Sequence, residues 1–246
     1  MIEKYNQESV NIQGRNLGEA WINMVKKIIT TYAVSFDEDR GRVACQSIRF
    51  RSESHGNTEP IIKKYADKNN IKKMDEMFFS RAKMVDFDVS PSFSPGAKSY
   101  YQRILEGKMV EFVVERLSAI PESKKAVMIF PTYEDYKQVL ENQKDDYLPC
   151  LVAFQVRLQK RAKGYKQNVY FFMRSWDAYQ KAPGNLVAMA KLSDHIRKKL
   201  QKRLKKNISL GIMEGMVTDA HIYEECLPDA KKLVKIFAKR KIGYAK

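Results

Sequence analysis

Between Leu17 and Ile29 the apolar side chains Ala20, Trp21, Met24, Val25, Ile28 and Ile29 recur every three or four places, which predicts a helix with one buried face. A second stripe, Met189, Leu192, Ile196, Leu200 and Leu204, predicts a long core helix from Leu186 to Lys206. His195 lies beside that stripe and reads as a helix-surface residue. Further helices are expected over Pro60–Lys73, Ser99–Leu117 and Pro228–Arg240. Strand patterns cover Val43–Phe50, Ala126–Phe130, Cys150–Leu158, Asn168–Met173 and Ile208–Tyr223. Between them Arg40-Gly41-Arg42 reads as a turn and Ser52–Asn57 as a loop with His55 exposed. Asp86–Gly96, with two prolines, reads as a long loop. The mixture lacks a regular βαβ alternation and predicts an α+β fold, with long helices packed on one large sheet. With no linker in view, one domain over 1–246 is expected.

A chain that is 44% hydrophobic and 30% charged has an ordinary globular balance. Its formal charge of +16 would attract phosphates, nucleic acid or an anionic surface through the field of the whole molecule. The densest basic run, Arg197 to Lys206, has apolar residues at helical spacing and reads first as the wet face of a helix. Cys45, Cys150 and Cys226 are odd in number and widely spaced, against a disulfide framework or zinc knuckle, and point to a reducing cytoplasm. No apolar run is long enough to cross a bilayer, so no membrane partner is expected. Phosphate loops, HExxH and the nucleophile elbow are missing, which removes the common nucleotide-hydrolase and metalloprotease readings.

One group of residues carries chemistry. Cys150 is a candidate nucleophile, since a thiolate adds to an electron-poor ring carbon and a guanidinium such as Arg174 favours the ionised form. Asn185 offers a donor beside an acceptor, which matches the O4 and N3–H edge of uracil. His221 and Tyr223, two apart on a strand, share a face and could grip one ribose hydroxyl. Arg174 with Ser175 suits a phosphate.

The order of these residues resembles the nucleotide site of thymidylate synthases and the related pyrimidine-nucleotide hydroxymethylases. Tyr147-Leu148-Pro149-Cys150 is similar to the family's Pro-Cys-His segment, and Gln155 stands at the matching offset on the strand that follows. Arg174-Ser175-Trp176-Asp177, then Pro183-Gly184-Asn185, resemble its Arg-Ser-x-Asp and Pro-x-Asn. Thr218-Asp219-Ala220-His221-Ile222-Tyr223 resembles its Gly-Asp-x-His-x-Tyr strand. Lys124-Lys125 stand where the family has two phosphate-binding arginines donated by a second subunit.

The resemblance implies addition of Cys150 to C6 of a pyrimidine nucleoside monophosphate. C5 would then take a methyl or hydroxymethyl unit from 5,10-methylenetetrahydrofolate. Asp177 would help to place the folate and order proton transfer, and Glu76 is the candidate for the glutamate that manages water and protons. Arg40 would join Lys124 and Lys125 on the phosphate, and the implied assembly is a homodimer with shared sites. Several departures favour a second reading, a non-catalytic nucleotide- or RNA-binding protein derived from the same fold. Leu151 replaces the family's histidine, its tryptophan motif is missing, and Tyr100-Tyr101-Gln102-Arg103 keeps only a Tyr and an Arg of it. By the resemblance, the tail that would cover the folate is expected to lie beyond Lys246.

Overall fold

The computed structural model describes residues 9–37, 40–56, 59–84, 97–141 and 147–238, with the side chains of 37, 40, 45 and 46 outside that description. The expected loop Asp86–Gly96 and the last two residues of the helix expected to end at Arg240 fall outside it as well.

Among the described residues, eight strands form one mixed sheet. They are β1 Val10–Gly14, β2 Val34–Asp37, β3 Arg40–Ser52, β4 Val127–Ile129, β5 Leu151–Arg161, β6 Gly164–Met173, β7 Trp176–Asp177 and β8 Ile208–Tyr223. The order is β1-β3-β8-β6-β5-β4, with β2 on β3 and β7 on β8. β8 runs parallel to β6 and β7 and antiparallel to β3. Eight α-helices are described: α1 Leu17–Thr31, α2 Pro60–Tyr65, α3 Lys68–Phe79, α4 Tyr100–Glu106, α5 Met109–Ala119, α6 Tyr133–Glu141, α7 Ala182–Leu204 and α8 Leu227–Ala238. No helix among the described residues is long and apolar enough to cross a membrane.

Both apolar stripes do what their spacing predicts. Trp21, Met24, Val25 and Ile28 of α1 are fully buried, as are Met189, Ile196 and Leu200 of α7. Each such side chain contributes about 1.5–3 kcal/mol of transfer free energy. Asn16 starts α1 by accepting the N–H of Glu19 at 2.9 Å, and the buried Glu59 carboxylate accepts from Gly18 at 3.1 Å. These two side chains satisfy N–H groups that a first helical turn leaves over. Phe154, Val156, Val169, Met173 and Val217 fill the sheet's inner face, while alternate residues such as Tyr170, Phe172 and Met216 are half-buried or exposed.

Several expected boundaries are corrected. Arg40-Gly41-Arg42 is the start of β3, not a turn, because β2 pairs with it from Val34↔Val43 to Asp37↔Arg40. The helix expected over Pro60–Lys73 is two helices, since Asp67 caps a new start by accepting from Asn69 and Asn70 at 2.8 and 2.9 Å. The one expected over Ser99–Leu117 breaks at Lys108, whose φ of 46° is left-handed. α7 begins at Ala182, so Asn185 lies in its first turn rather than in a preceding loop. β1, β2 and α6 carry too few apolar residues in register to be seen by periodicity.

His55 is not an exposed loop residue but fully buried. Its Nδ1 lies 2.8 Å from the Gly211 carbonyl, which can only accept, so Nδ1 holds the proton and Nε2 accepts from Ser193 Oγ at 2.9 Å. Burial lowers its pKa to about 4, against the opposing pull of the Gly211 carbonyl and of Asp194. The unfolded chain, with an ordinary value of 6.5, therefore binds more protons between those two values. Stability from this group is complete above pH 6.5 and is lost as pH falls toward 4, by about 2–3 kcal/mol. Urea unfolding between pH 7 and 4 should show that loss, and His55→Gln, which does not titrate, should flatten it. An unchanged slope in the variant would remove His55 from the acid limb.

Candidate active site

Cys150 precedes β5 and is half-buried. Its carbonyl accepts the backbone N–H of Arg174 at 2.9 Å, so the ends of β5 and β6 hold cysteine and arginine side by side. Arg174 is exposed and donates through Nη2 to the Leu148 carbonyl at 2.5 Å, which fixes the guanidinium beside the Pro149-Cys150 turn. A guanidinium has five N–H donors, so this contact leaves others for an anion.

The chain then enters β7, which pairs Trp176 with Ala220 and Asp177 with His221. Asp177 is buried, and its Oδ1 accepts from the N–H groups of Tyr179 and Gln180 at 3.0 and 2.9 Å, capping the turn that leads into α7. Trp21 of α1 secures the same turn by donating to the Ala178 carbonyl at 2.9 Å. One turn into α7, the buried Asn185 accepts the Trp176 indole N–H at 3.0 Å and directs Nδ2 at Met74 Sδ, 3.1 Å away. Each half of its amide keeps one further site, a lone pair on Oδ1 and an N–H on Nδ2.

His221 is buried, with Nδ1 2.8 Å from Asp219 Oδ1. Asp219 accepts from Arg42 at the same distance, and these two partners hold its carboxyl below the usual range against the opposing effect of burial. A carboxylate only accepts, so Nδ1 carries the proton and Nε2 is the nitrogen left over. The Tyr223 ring stands edge-on to the imidazole at 4.8 Å between centroids. His221 and Tyr223 therefore share a face, as the strand spacing predicts.

Cys150, Ser175, Asp177 and Asn185 line one cleft with Met74, Met77, Met84, Tyr100, Tyr147, Trp176 and Lys181. Burial first, and then the neighbouring Cys150, push the Tyr100 phenol well above its ordinary value; burial likewise raises Tyr147. Both therefore remain protonated near neutral pH. Tyr100 accepts the Leu151 N–H at 3.2 Å, which leaves its O–H to donate. The cleft holds about 20 Å³, room for one water. A pyrimidine enters only if the unbranched, pliable methionines shift. The pteridine of a folate, far larger, does not fit the cleft as it stands. An open groove of about 610 Å³ elsewhere, among Arg51, Arg157, Arg161, Lys166 and Tyr170, takes in Gln155 but none of the other residues that carry the resemblance.

Other expected residues lie apart from the cleft. Glu76 sits on α3 between Met74 and Met77 yet pairs with Arg81 at 3.0 Å and does not line the cleft. Lys124 and Lys125 are exposed and precede β4. With Val127 opposite Gln155, Lys125 falls level with Arg157, about 23 Å along the strand from Cys150. The Arg40 side chain lies outside the description. Sequence reasoning missed the walls of the cleft: Trp176, Tyr147 and the methionines. The i, i+3 spacing of Met74 and Met77 on a helical stripe was the available signal. Arg103 belongs to a buried ion pair with Asp135 at 2.6 Å, not to the cleft.

No family model matches the chain. A Methanopyrus kandleri protein named "Putative thymidylate synthase" is 26% identical to it over 117 residues, 48% of this chain and 49% of the relative. The chain thus spans about half the length of the curated relative it matches. That likeness supports a relationship to thymidylate synthases at the level of the family.

Proposed function

We propose that this protein is a thymidylate synthase-like enzyme that binds a pyrimidine nucleoside monophosphate and forms a covalent bond from Cys150 Sγ to C6 of the base. The observation that carries this reading is the convergence of Cys150, Ser175, Asp177 and Asn185 on one cleft, with Arg174 bonded to the Cys150 main chain. Arg174 and Ser175 bind the phosphate, Asn185 reads the uracil edge through its remaining N–H and lone pair, and His221 with Tyr223 holds the ribose. Addition at C6 places negative charge on C5 and O4, and the Asn185 N–H stabilises that charge. Asp177 fixes the turn that carries Asn185 and orders proton transfer at this end of the cleft; Glu76, outside the cleft and paired with Arg81, is the remaining candidate to manage water at its edge. The methyl or hydroxymethyl unit for C5 would come from 5,10-methylenetetrahydrofolate, for which the cleft has to open beyond its present 20 Å³ or so.

Lys124 and Lys125, too far along the sheet to reach their own chain's cysteine, serve the phosphate of a second subunit in a homodimer, where Arg40 joins them. Ile129, Ala153, Phe172 and Met216 form one cross-strand row on the outer face of the sheet, apolar surface that such a partner would cover. Sedimentation as a monomer at micromolar concentration would remove this part of the reading.

The direct test is mass spectrometry of the protein incubated with 5-fluoro-dUMP, with and without methylenetetrahydrofolate. A mass increase that maps to the peptide containing Cys150 is expected. Reversible nucleotide binding with no adduct under either condition would refute covalent chemistry and leave the non-catalytic nucleotide-binding reading.

A further inference from the structure

At the end of the sheet remote from Cys150, the β5–β6 hairpin packs on the turn between α7 and β8. Tyr165 N–H donates to the Asn207 carbonyl at 2.9 Å, and Tyr165 pairs with Ile208 in the ladder. The approach is close enough to require Gly164, whose φ is +116° and where an added Cβ would stand 2.1 Å from the Asn207 oxygen. Two basic stretches distant in sequence are thereby joined. Lys160, Arg161, Lys163 and Lys166 come from the hairpin; Lys202, Arg203, Lys205 and Lys206 come from the end of α7 and its turn. All except Lys166 are exposed. Among the described residues, the acidic groups that meet them are Glu115, 3.9 Å from Arg203, and Glu53, whose carboxyl feels Lys166.

Lys202 and Arg203 alone are explained by the negative end of the α7 dipole. That account does not extend to the hairpin lysines, which add like charge to an end already neutralised and cost stability by mutual repulsion. A polyanion compensates such a gathering. We propose that this cationic pole docks the sugar–phosphate backbone of nucleic acid. A lipid surface suits it less well, because none of the large exposed apolar side chains of the described residues belongs to the hairpin or to the end of α7 and its turn. The pole is about 33 Å along the strands from Cys150, so nucleic acid and a nucleotide in the cleft bind independently.

The test is fluorescence anisotropy of the full chain with a fluorescein-labelled single-stranded RNA of about 20 nucleotides, a length that covers several phosphates per site. A duplex DNA of equal length and phosphatidylserine vesicles are run in parallel. The pole variant Lys160→Glu/Lys163→Glu/Lys205→Glu/Lys206→Glu is compared with Lys26→Glu/Lys63→Glu/Lys72→Glu/Lys231→Glu, which changes net charge equally on exposed faces elsewhere. Wild-type binding in the micromolar range is expected. The pole variant should weaken it at least tenfold and lower the slope of log K against log salt by about 3, while the second variant stays within about threefold. The corresponding Lys→Gln pole variant should lie between wild type and Lys→Glu, a check that does not depend on charge reversal. Equal weakening by both Lys→Glu sets would overturn the proposal in favour of a diffuse field. So would absence of oligonucleotide binding at 50 mM salt, or binding to vesicles alone.

Discussion

Cys150→Ala should abolish release of tritium from C5 of [5-³H]dUMP, by on the order of 10³-fold or more, while dUMP still binds within about threefold of wild type. The exchange isolates the first chemical step. Addition of the thiolate to C6 makes C5 basic, C5 takes a solvent proton, and elimination returns the thiol with tritium left in water. No one-carbon donor enters that sequence, so the result tests the cysteine separately from the folate. Alanine keeps the main-chain contact between Cys150 and Arg174, which does not involve the thiol. Ground-state contacts to phosphate, base and ribose should therefore persist. Exchange at the wild-type rate in the alanine variant, with UMP and dUMP both tried, would end the covalent reading whatever the nucleotide affinity.

A large loss of stability is expected from breaking the buried pair between Arg103 and Asp135, whose side chains are 2% and 7% exposed. The guanidinium meets both carboxylate oxygens at 2.6 Å, and two more of its five hydrogens reach the Lys98 and Phe130 carbonyls at 3.1 and 2.9 Å. Asp135 also accepts from the Thr132 N–H and hydroxyl. Arg103→Met leaves the carboxylate buried without its counter-ion and should cost about 3–5 kcal/mol in urea unfolding. The double variant Arg103→Met/Asp135→Leu should recover much of that loss. Burial opposes ionisation of Asp135, yet Arg103 and Thr132 prevail and hold its pKa below the ordinary 3.8. Its stabilisation is therefore present above that value and is lost as pH falls through the folded pKa. A loss under 1 kcal/mol in the single variant would contradict this account. Because Arg103 lies 6.0 Å from the Tyr147 ring, which walls the cleft, the single variant should also weaken nucleotide binding.

The elements legible in the sequence were those whose signal is local. α1 and α7 follow from apolar spacing, and β5, β6 and β8 from runs of strand-forming residues whose alternation matches one buried face. Cys150, Arg174, Ser175, Asp177 and Asn185 could be selected because they stand in an ordered series within 36 positions of one another. What that series could not convey is the side-chain partner of each member. Asn185 meets a neighbour from β7 and another from α3, and Asp177 serves as a turn cap beside His221.

His55 shows the limit most plainly. Ser, Gly and Asn around it favour a loop, and no local property of a loop says that another part of the chain will cover it. Its burial depends on Ser193 of α7 and Gly211 of β8, 138 and 156 residues away. The same holds for the Arg103–Asp135 pair, for the 23 Å or so that separates Lys125 from Cys150, and for the merger of two basic runs at one pole. Periodicity and residue chemistry determined which faces seek the core and which side chains can react or bind charge. Strand order and register decided which of them meet, because hydrogen-bonded ladders and close packing join positions whose separation along the chain carries no record of their distance in space.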